Sequence, residues 1–118
     1  MGVACAVPVP PEILIPLLGY RNCVQSLIHL AELDATLLGD DRAVALCNKS
    51  YTVLQMIDSL KSVARQNEIT LSSDPMITII IQGWPNYIDA NRAEKLGFSA
   101  DASLEHVVQN FIDDFLPA

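Results

Sequence analysis

Apolar residues recur with helical spacing in three stretches of the chain. Between Arg21 and Leu33 they return every three or four residues, as on one face of an amphipathic helix. A second stretch follows Thr52, which together with Gln55 three residues later has the pattern of a capping box. A third begins at Ser103 and carries a wide apolar face. The pattern therefore predicts three helices, with Thr52 and Ser103 as N-caps.

Three other stretches have patterns typical of strands. Residues 3–9 alternate weakly, residues 43–47 form a short apolar run, and Met76–Ile81 is rich in β-branched side chains. The prolines within residues 10–19 predict a stiff, extended connection there. Asp89 can cap a short helix that ends before Gly97, which suits the left-handed position after it.

The predicted order is strand, helix, strand, helix, strand, short helix, helix. This is a mixed α/β chain, and its strands are too few and too short for a full doubly wound sheet. The 118 residues are expected to form one unit over 1–118. With 51% apolar residues and a mean hydropathy of +0.31, the chain is unusually apolar for its size. Such an excess of apolar residues is typical of a piece of a larger protein or of a subunit of a small oligomer.

Charge and cysteine content exclude several kinds of function. The net charge is −7 and the seven basic residues are scattered, so nucleic acid is not an expected partner. No apolar run approaches the ~18 residues of a membrane span, and the proline-broken start lacks the basic region of a signal peptide. Three widely spaced cysteines suggest free thiols in a reducing compartment. We therefore expect a cytoplasmic protein without a membrane partner.

The sequence lacks the patterns of several common active sites. Its five glycines are too far apart for the glycine-rich loop of a dinucleotide or nucleotide site. A tyrosine with a lysine four residues later, which lowers the pKa of the phenol in short-chain dehydrogenases, does not occur at Tyr20, Tyr51 or Tyr87. Neither a catalytic residue nor a metal ligand is predicted, although a cysteine–histidine pair formed in space stays open.

A series of short motifs in the last third of the chain has a familiar order. Trp84-Pro85 is followed by Asp89, by the pair Arg92-Ala93 and by Leu96-Gly97-Phe98, and then by the start of the last helix. This order resembles the carboxy-terminal end of extended short-chain dehydrogenases, the NAD-dependent epimerase/dehydratase family. Earlier segments resemble the D-erythronate dehydrogenase branch of that family: residues 7–11, 21–32, 41–44 and the helix start at Thr52.

The resemblance also has departures. Gly19-Tyr20 stands where the family tends to have Ser-Pro, and Ile79–Gln82 stands where it often has an arginine. Substrate or phosphate contacts from these positions are therefore in doubt.

The resemblance implies a fold and a function. The fold is the substrate-binding lobe and the last strands and helices of a Rossmann-like enzyme, without the cofactor-binding half. The intact enzyme would use NAD(P) on a small sugar acid or polyol, whereas this chain alone would bind no cofactor and be inactive. An L-threonine dehydrogenase is the second possibility within this class. A small non-enzymatic α/β interaction module is the alternative outside it, and a homo-oligomer or an aggregate is a possible state.

Two residues are candidates for substrate binding. Arg21 opens a helix, where the helix dipole disfavours a cation, so an anionic partner is plausible and a solvated arginine is the alternative. Trp84, the only tryptophan, either walls the substrate site or packs between lobe and sheet. Arg92 is expected to pair with Asp89 or Glu94 at the surface, with a substrate carboxylate as the alternative. Of the two histidines, His29 is expected to be structural and His106 to face solvent.

Overall fold

The computed structural model describes residues 4–65 and 68–116, which contain four strands and five α-helices. The strands are β1 (Cys5–Val7), β2 (Leu14–Leu17), β3 (Lys49–Thr52) and β4 (Ile69–Leu71). The α-helices are α1 (Tyr20–Glu32), α2 (Val53–Val63), α3 (Pro75–Gln82), α4 (Asn91–Lys95) and α5 (Leu104–Phe115). The mixed α/β class predicted from the sequence is confirmed. Val3, the first residue of the first predicted strand, lies outside the described residues.

The four strands form two separate pairs. β1 runs parallel to β4, with Cys5 opposite Ile69, and β2 runs antiparallel to β3, with Leu14 opposite Thr52. Two-stranded sheets are marginal without support, and both pairs pack against helices. Val9, Val53 and Ile57 form the buried centre of this packing.

The helix boundaries follow the capping signals of the sequence. The Thr52 hydroxyl accepts from the Gln55 backbone N–H at 3.1 Å, and the Gln55 side chain accepts from the Thr52 N–H at 2.8 Å, which completes the predicted capping box. Ser103 accepts from the His106 N–H at 3.1 Å at the start of α5. Gly97 adopts φ +87° after α4, a conformation that favours glycine. These predictions are confirmed.

The predicted strand Met76–Ile81 is wrong, because this segment forms helix α3. The carboxylate of Asp74 accepts from the N–H groups of Met76 at 2.9 Å and Ile77 at 3.5 Å. Pro75 occupies the first turn, where its missing N–H costs nothing. The helix start at Asp74-Pro75 outweighs the strand propensity of the β-branched run, which amounts to less than about 1 kcal/mol per residue.

One other strand prediction and one predicted connection are also wrong. Residues 43–47 form no ladder with any described residue, and β3 begins two residues later, at Lys49. The connection predicted for residues 10–19 contains β2, in which Pro16 lies opposite Ser50. Proline is tolerated there because β2 pairs on only one side and its other edge needs no ladder donor.

The chain is thin and buries few side chains. Its extents are 49 × 38 × 17 Å and its radius of gyration is 16.7 Å, against about 13 Å for a compact 100-residue domain. A second buried cluster, Cys47, Ala93 and Phe98, lies apart from the first. Large apolar side chains of α1, α3 and α5 remain exposed. The described residues thus form a flat layer with two small cores.

Candidate functional site

Arg21 is held by helix α5. Its Nε and Nη2 donate to the two carboxylate oxygens of Asp114 at 2.8 and 2.5 Å, and its Nη1 donates to Oδ1 of Asn110 at 3.0 Å. The neighbouring Tyr20 hydroxyl donates to the Asn110 carbonyl oxygen at 3.1 Å and also contacts the Asp114 carboxylate. Three of the five guanidinium N–H groups are engaged, so an external anion would use the remaining two or compete with Asp114.

A buried carboxylate, Asp101, lies at the start of α1. It accepts from the Gly19 backbone N–H at 2.5 Å and from the Asn22 side chain at 2.6 Å. Gly19 has no side chain to cap the helix, so Asp101 satisfies this N–H and places a negative charge at the positive end of the helix dipole. A Cβ atom at Gly19 would lie 2.7 Å from Asp101 Oδ1, which explains glycine at this position.

Arg92 fixes the loop before residue 44. Its guanidinium donates to the carbonyl oxygens of Leu38, Asp41 and Ala43 at 2.7–2.9 Å, and it lies 3.2 Å from the Asp41 carboxylate. The predicted surface ion pair of Arg92 with Asp89 or Glu94 is therefore wrong, because the carboxylate beside Arg92 is that of Asp41. Asp89 instead accepts from the Asn91 N–H at 2.9 Å, just before α4, but the N-cap position itself is Ala90, one residue after the predicted cap.

Trp84 lies just after α3 and is 56% exposed. It lines a groove of about 240 Å³ whose other walls come from the segment before β2 and from the end of α3. The lining residues are Pro10, Glu12, Ile13, Leu14, Ile81, Gln82, Trp84 and Asn86. Arg21 lies on the α1–α5 side and does not line this groove. The structure does not bring the two predicted substrate residues together, and each remains a separate prediction.

A cleft of about 450 Å³ is one that sequence reasoning missed. It lies where α2 and α5 begin and is lined by Lys49, Tyr51, Gln55, Asp58, Ala102, Ser103, Leu104 and Glu105. Burial raises the pKa of Tyr51, and the Asp101 and Glu105 carboxylates raise it further. These surroundings keep the phenol neutral at ordinary pH, so Tyr51 can donate a hydrogen bond but is not poised as a base. The two N-caps, Thr52 and Ser103, are the sequence signal that α2 and α5 begin here.

The histidines and the buried cysteine have structural surroundings. His29 Nε2 lies 2.7 Å from the Leu96 carbonyl oxygen, and its ring meets the Phe98 ring edge-on at 4.6 Å, which confirms its structural role. His106 is exposed, as predicted. Burial raises the pKa of the Cys47 thiol, with the Glu94 carboxylate adding to this. Among residues 4–65 and 68–116, no group of three or more histidine, cysteine or acidic side chains could hold a metal ion.

Comparison with known proteins gives the family. No family model matches the sequence. The D-erythronate dehydrogenase of Cupriavidus necator is 35% identical over 116 residues, which is 96% of this chain and 36% of the relative. A crystal structure of a nucleoside-diphosphate-sugar epimerase from Agrobacterium tumefaciens superposes with a TM-score of 0.90 at 33% identity, over 98% of this chain and 34% of that one. The chain belongs to the extended short-chain dehydrogenase family, also called the epimerase/dehydratase family.

Membership in this family confirms the fold predicted from the resemblance. The chain corresponds to the carboxy-terminal part of a Rossmann-like extended short-chain dehydrogenase and spans about a third of the length of its relatives. A GalE-like L-threonine dehydrogenase from C. necator shares the fold, with a TM-score of 0.81 over 94% of this chain at 20% identity. In the part of the chain that the structure describes, no helix is long and apolar enough to cross a membrane.

Proposed function

We propose that residues 1–118 form a single substrate-side unit of an NAD(P)-dependent dehydrogenase that acts on a small sugar acid in the cytoplasm. The observation that carries this proposal is the 35% identity to D-erythronate dehydrogenase over 96% of the chain. The likeness to L-threonine dehydrogenases extends to the fold alone, because the identity is only 20%. We therefore propose a sugar acid, and not an amino acid, as the substrate.

The residues of this chain do not fit a dinucleotide. The turn from β2 through Gly19 into α1 is the strand-to-helix arrangement at which a pyrophosphate would bind the helix N-terminus. Here the Gly19 N–H already donates to Asp101, and that carboxylate would repel a phosphate. Among the other described glycines, none accompanies Gly19 in a glycine-rich turn. We therefore propose that another part of the enzyme holds the dinucleotide.

The part proposed for this chain is to bind and orient substrate. Arg21 has two guanidinium N–H groups left over from its bonds to α5, which could bind a substrate carboxylate. Trp84 offers an exposed aromatic face beside the polar groups of Glu12, Gln82 and Asn86, which suits a polyol chain. Proton and hydride transfer would belong to the tyrosine–lysine pair and the nicotinamide of the intact family enzyme.

The first expected outcome is that the isolated chain does not bind NAD or NADP. Of the described helices, α1, α2 and α3 follow strands, and N–H groups at their starts already donate to Asp101, Thr52 and Asp74. Isothermal titration of the purified chain should show no binding at 1 mM nucleotide, with the C. necator enzyme as the positive control. A dissociation constant in the micromolar range, about −8 kcal/mol, would contradict the proposal that this chain lacks the cofactor site.

The second expected outcome concerns Arg21 and Trp84 in a joined chain. This joined chain consists of the part of the C. necator enzyme that precedes its match, followed by residues 1–118. Arg21→Ala should raise KM for D-erythronate about tenfold or more, because a hydrogen bond to a charged group contributes about 1.5–3 kcal/mol. Trp84→Ala should also raise KM for D-erythronate, because the indole ring would no longer contact the substrate.

Matched controls separate binding from folding in this experiment. Arg42→Ala removes an exposed arginine, and Tyr87→Ala removes an exposed aromatic ring outside the Trp84 groove. Steady-state kinetics are compared with melting temperatures for all four variants. If the two candidate variants show the same KM as their controls, Arg21 and Trp84 have only structural roles. If the unmodified joined chain is folded but inactive on D-erythronate, the proposed substrate is wrong.

A further inference from the structure

Three polar side chains of the Trp84 groove have unused hydrogen-bonding capacity. They are Glu12 in the segment before β2, Gln82 at the end of α3 and Asn86 two residues after Trp84. None of these three side chains forms a hydrogen bond or an ion pair with a described residue. They can therefore bind a ligand in the groove without breaking a contact within the described part of the chain.

Hydrogen bonds hold the two walls of the groove in place. The Pro11 carbonyl oxygen accepts from the Leu54 N–H at 2.9 Å, which ties the segment before β2 to the start of α2. On the other side, the Ser50 hydroxyl donates to the Asn86 carbonyl oxygen at 2.7 Å, which ties the segment after α3 to β3. The shape of the groove is therefore set by the backbone, and its polar side chains are presented from fixed positions.

The charge of the groove comes from one carboxylate. All eight lining residues belong to the described part of the chain, and among them Glu12 alone carries a charge. A hydroxyl group can donate a hydrogen bond to this carboxylate. An ionised carboxylate offers only acceptors, and any anion a few ångströms away is repelled by Glu12. The groove is thus suited to uncharged hydroxyl groups and unsuited to anions.

We propose that the Trp84 groove admits the uncharged hydroxyl end of the substrate and rejects anionic groups, with Glu12 as the residue that sets this selectivity. The carboxylate of the sugar acid then points out of the groove. Sugar acids that carry a phosphate or a second carboxylate at the other end are poor substrates. This inference deepens the proposed function and rests on it for the identity of the substrate.

Fluorescence quenching tests the selectivity of the groove directly, because Trp84 is the only tryptophan and is 56% exposed. Acrylamide serves as the neutral probe and iodide as the anionic probe, at constant ionic strength and at a concentration at which light scattering shows a monomer. In Glu12→Gln, quenching by iodide should rise about twofold relative to quenching by acrylamide, because the carboxylate no longer repels the anion. Glu32→Gln is the matched control: it removes the same charge at an exposed position outside the groove and should leave the ratio unchanged.

The joined chain tests the consequence for substrate choice. Its kcat/KM for D-erythronate should exceed that for 4-phospho-D-erythronate, and Glu12→Gln should reduce this preference about tenfold, whereas Glu32→Gln should not. The preference should also fall as the ionic strength rises from about 0.01 M to about 1 M, because the Debye length shortens from about 30 Å to about 3 Å. Exclusion of the phosphate by size alone would not respond to salt.

Each outcome supports or overturns the selectivity proposed for Glu12. Iodide quenching that responds equally to Glu12→Gln and Glu32→Gln overturns it. An active joined chain whose substrate preference is unchanged by Glu12→Gln and by salt also overturns it. A joined chain that is folded but inactive on D-erythronate rejects only the proposed substrate, and the quenching ratio then decides the selectivity of the groove. The quenching ratio also decides it if the joined chain does not fold.

Discussion

Asp101→Ala is expected to destabilise the chain by about 3 kcal/mol. The substitution removes two hydrogen bonds to a charged acceptor, those from Gly19 and Asn22, each of which typically contributes about 1.5–3 kcal/mol. It also leaves the buried Gly19 N–H without a partner and removes a favourable charge from the start of α1. The recovered cost of burying a carboxylate offsets part of this loss, so the sum is less than additive. For a domain stabilised by about 5–15 kcal/mol, the expected change is large.

Urea denaturation monitored by circular dichroism measures this effect. Asp58→Ala is the control, because Asp58 is exposed and its carboxylate has no hydrogen bond to a described residue; its effect should stay within about 0.5 kcal/mol. Asp101→Asn, which keeps one acceptor, should fall between the two. A loss below about 1 kcal/mol for Asp101→Ala would mean that Asp101 does not anchor α1.

Structural features that are specified by residues close together in the sequence were predictable. The capping box at Thr52, the cap at Ser103 and the glycine after α4 are each defined within about four positions, and all three are confirmed. Met76–Ile81 is instructive because two local signals conflict there. β-branched residues favoured a strand, whereas Asp74-Pro75 specified a helix start, and the start signal was decisive.

Features that depend on distant residues were not predictable. Asp101 lies 82 residues from Gly19, and Asp114 lies 93 residues from Arg21. Nothing in the spacing of either pair indicates contact, although a helix that begins at a glycine without a side-chain cap needs a partner from elsewhere. Residues 43–47 show the converse case, in which the local pattern is clear but the structure it predicts does not form. Their pattern predicts a strand, but a strand exists only where a neighbour is present, and no described residue provides one.

The isolated chain is expected to self-associate at micromolar concentration through the surface of α3 and the segment that follows it. Met76 and Ile79 are 73% and 70% exposed, and Ile80, Trp84 and Tyr87 are also exposed. α3 carries no charged side chain, so nothing on the helix itself opposes contact. Each large apolar side chain removed from water gains about 1.5–3 kcal/mol, and a few such gains suffice for association. The net charge of −7 opposes it mainly at low salt.

Size-exclusion chromatography with light scattering tests this expectation. Ile79→Lys should shift the chain toward the monomer by placing a charge at the centre of the apolar surface. Ser99→Lys adds the same charge at an exposed position outside α3 and should leave the distribution unchanged. In that case the exposed apolar surface causes the self-association. Strand propensity does not, because Met76–Ile81 is helical. A monodisperse monomer with a cooperative melt would show instead that the chain is a self-sufficient domain. That result would favour the non-enzymatic interaction module over the substrate-side unit, because a lobe that packs against the rest of an enzyme should not satisfy its own surface.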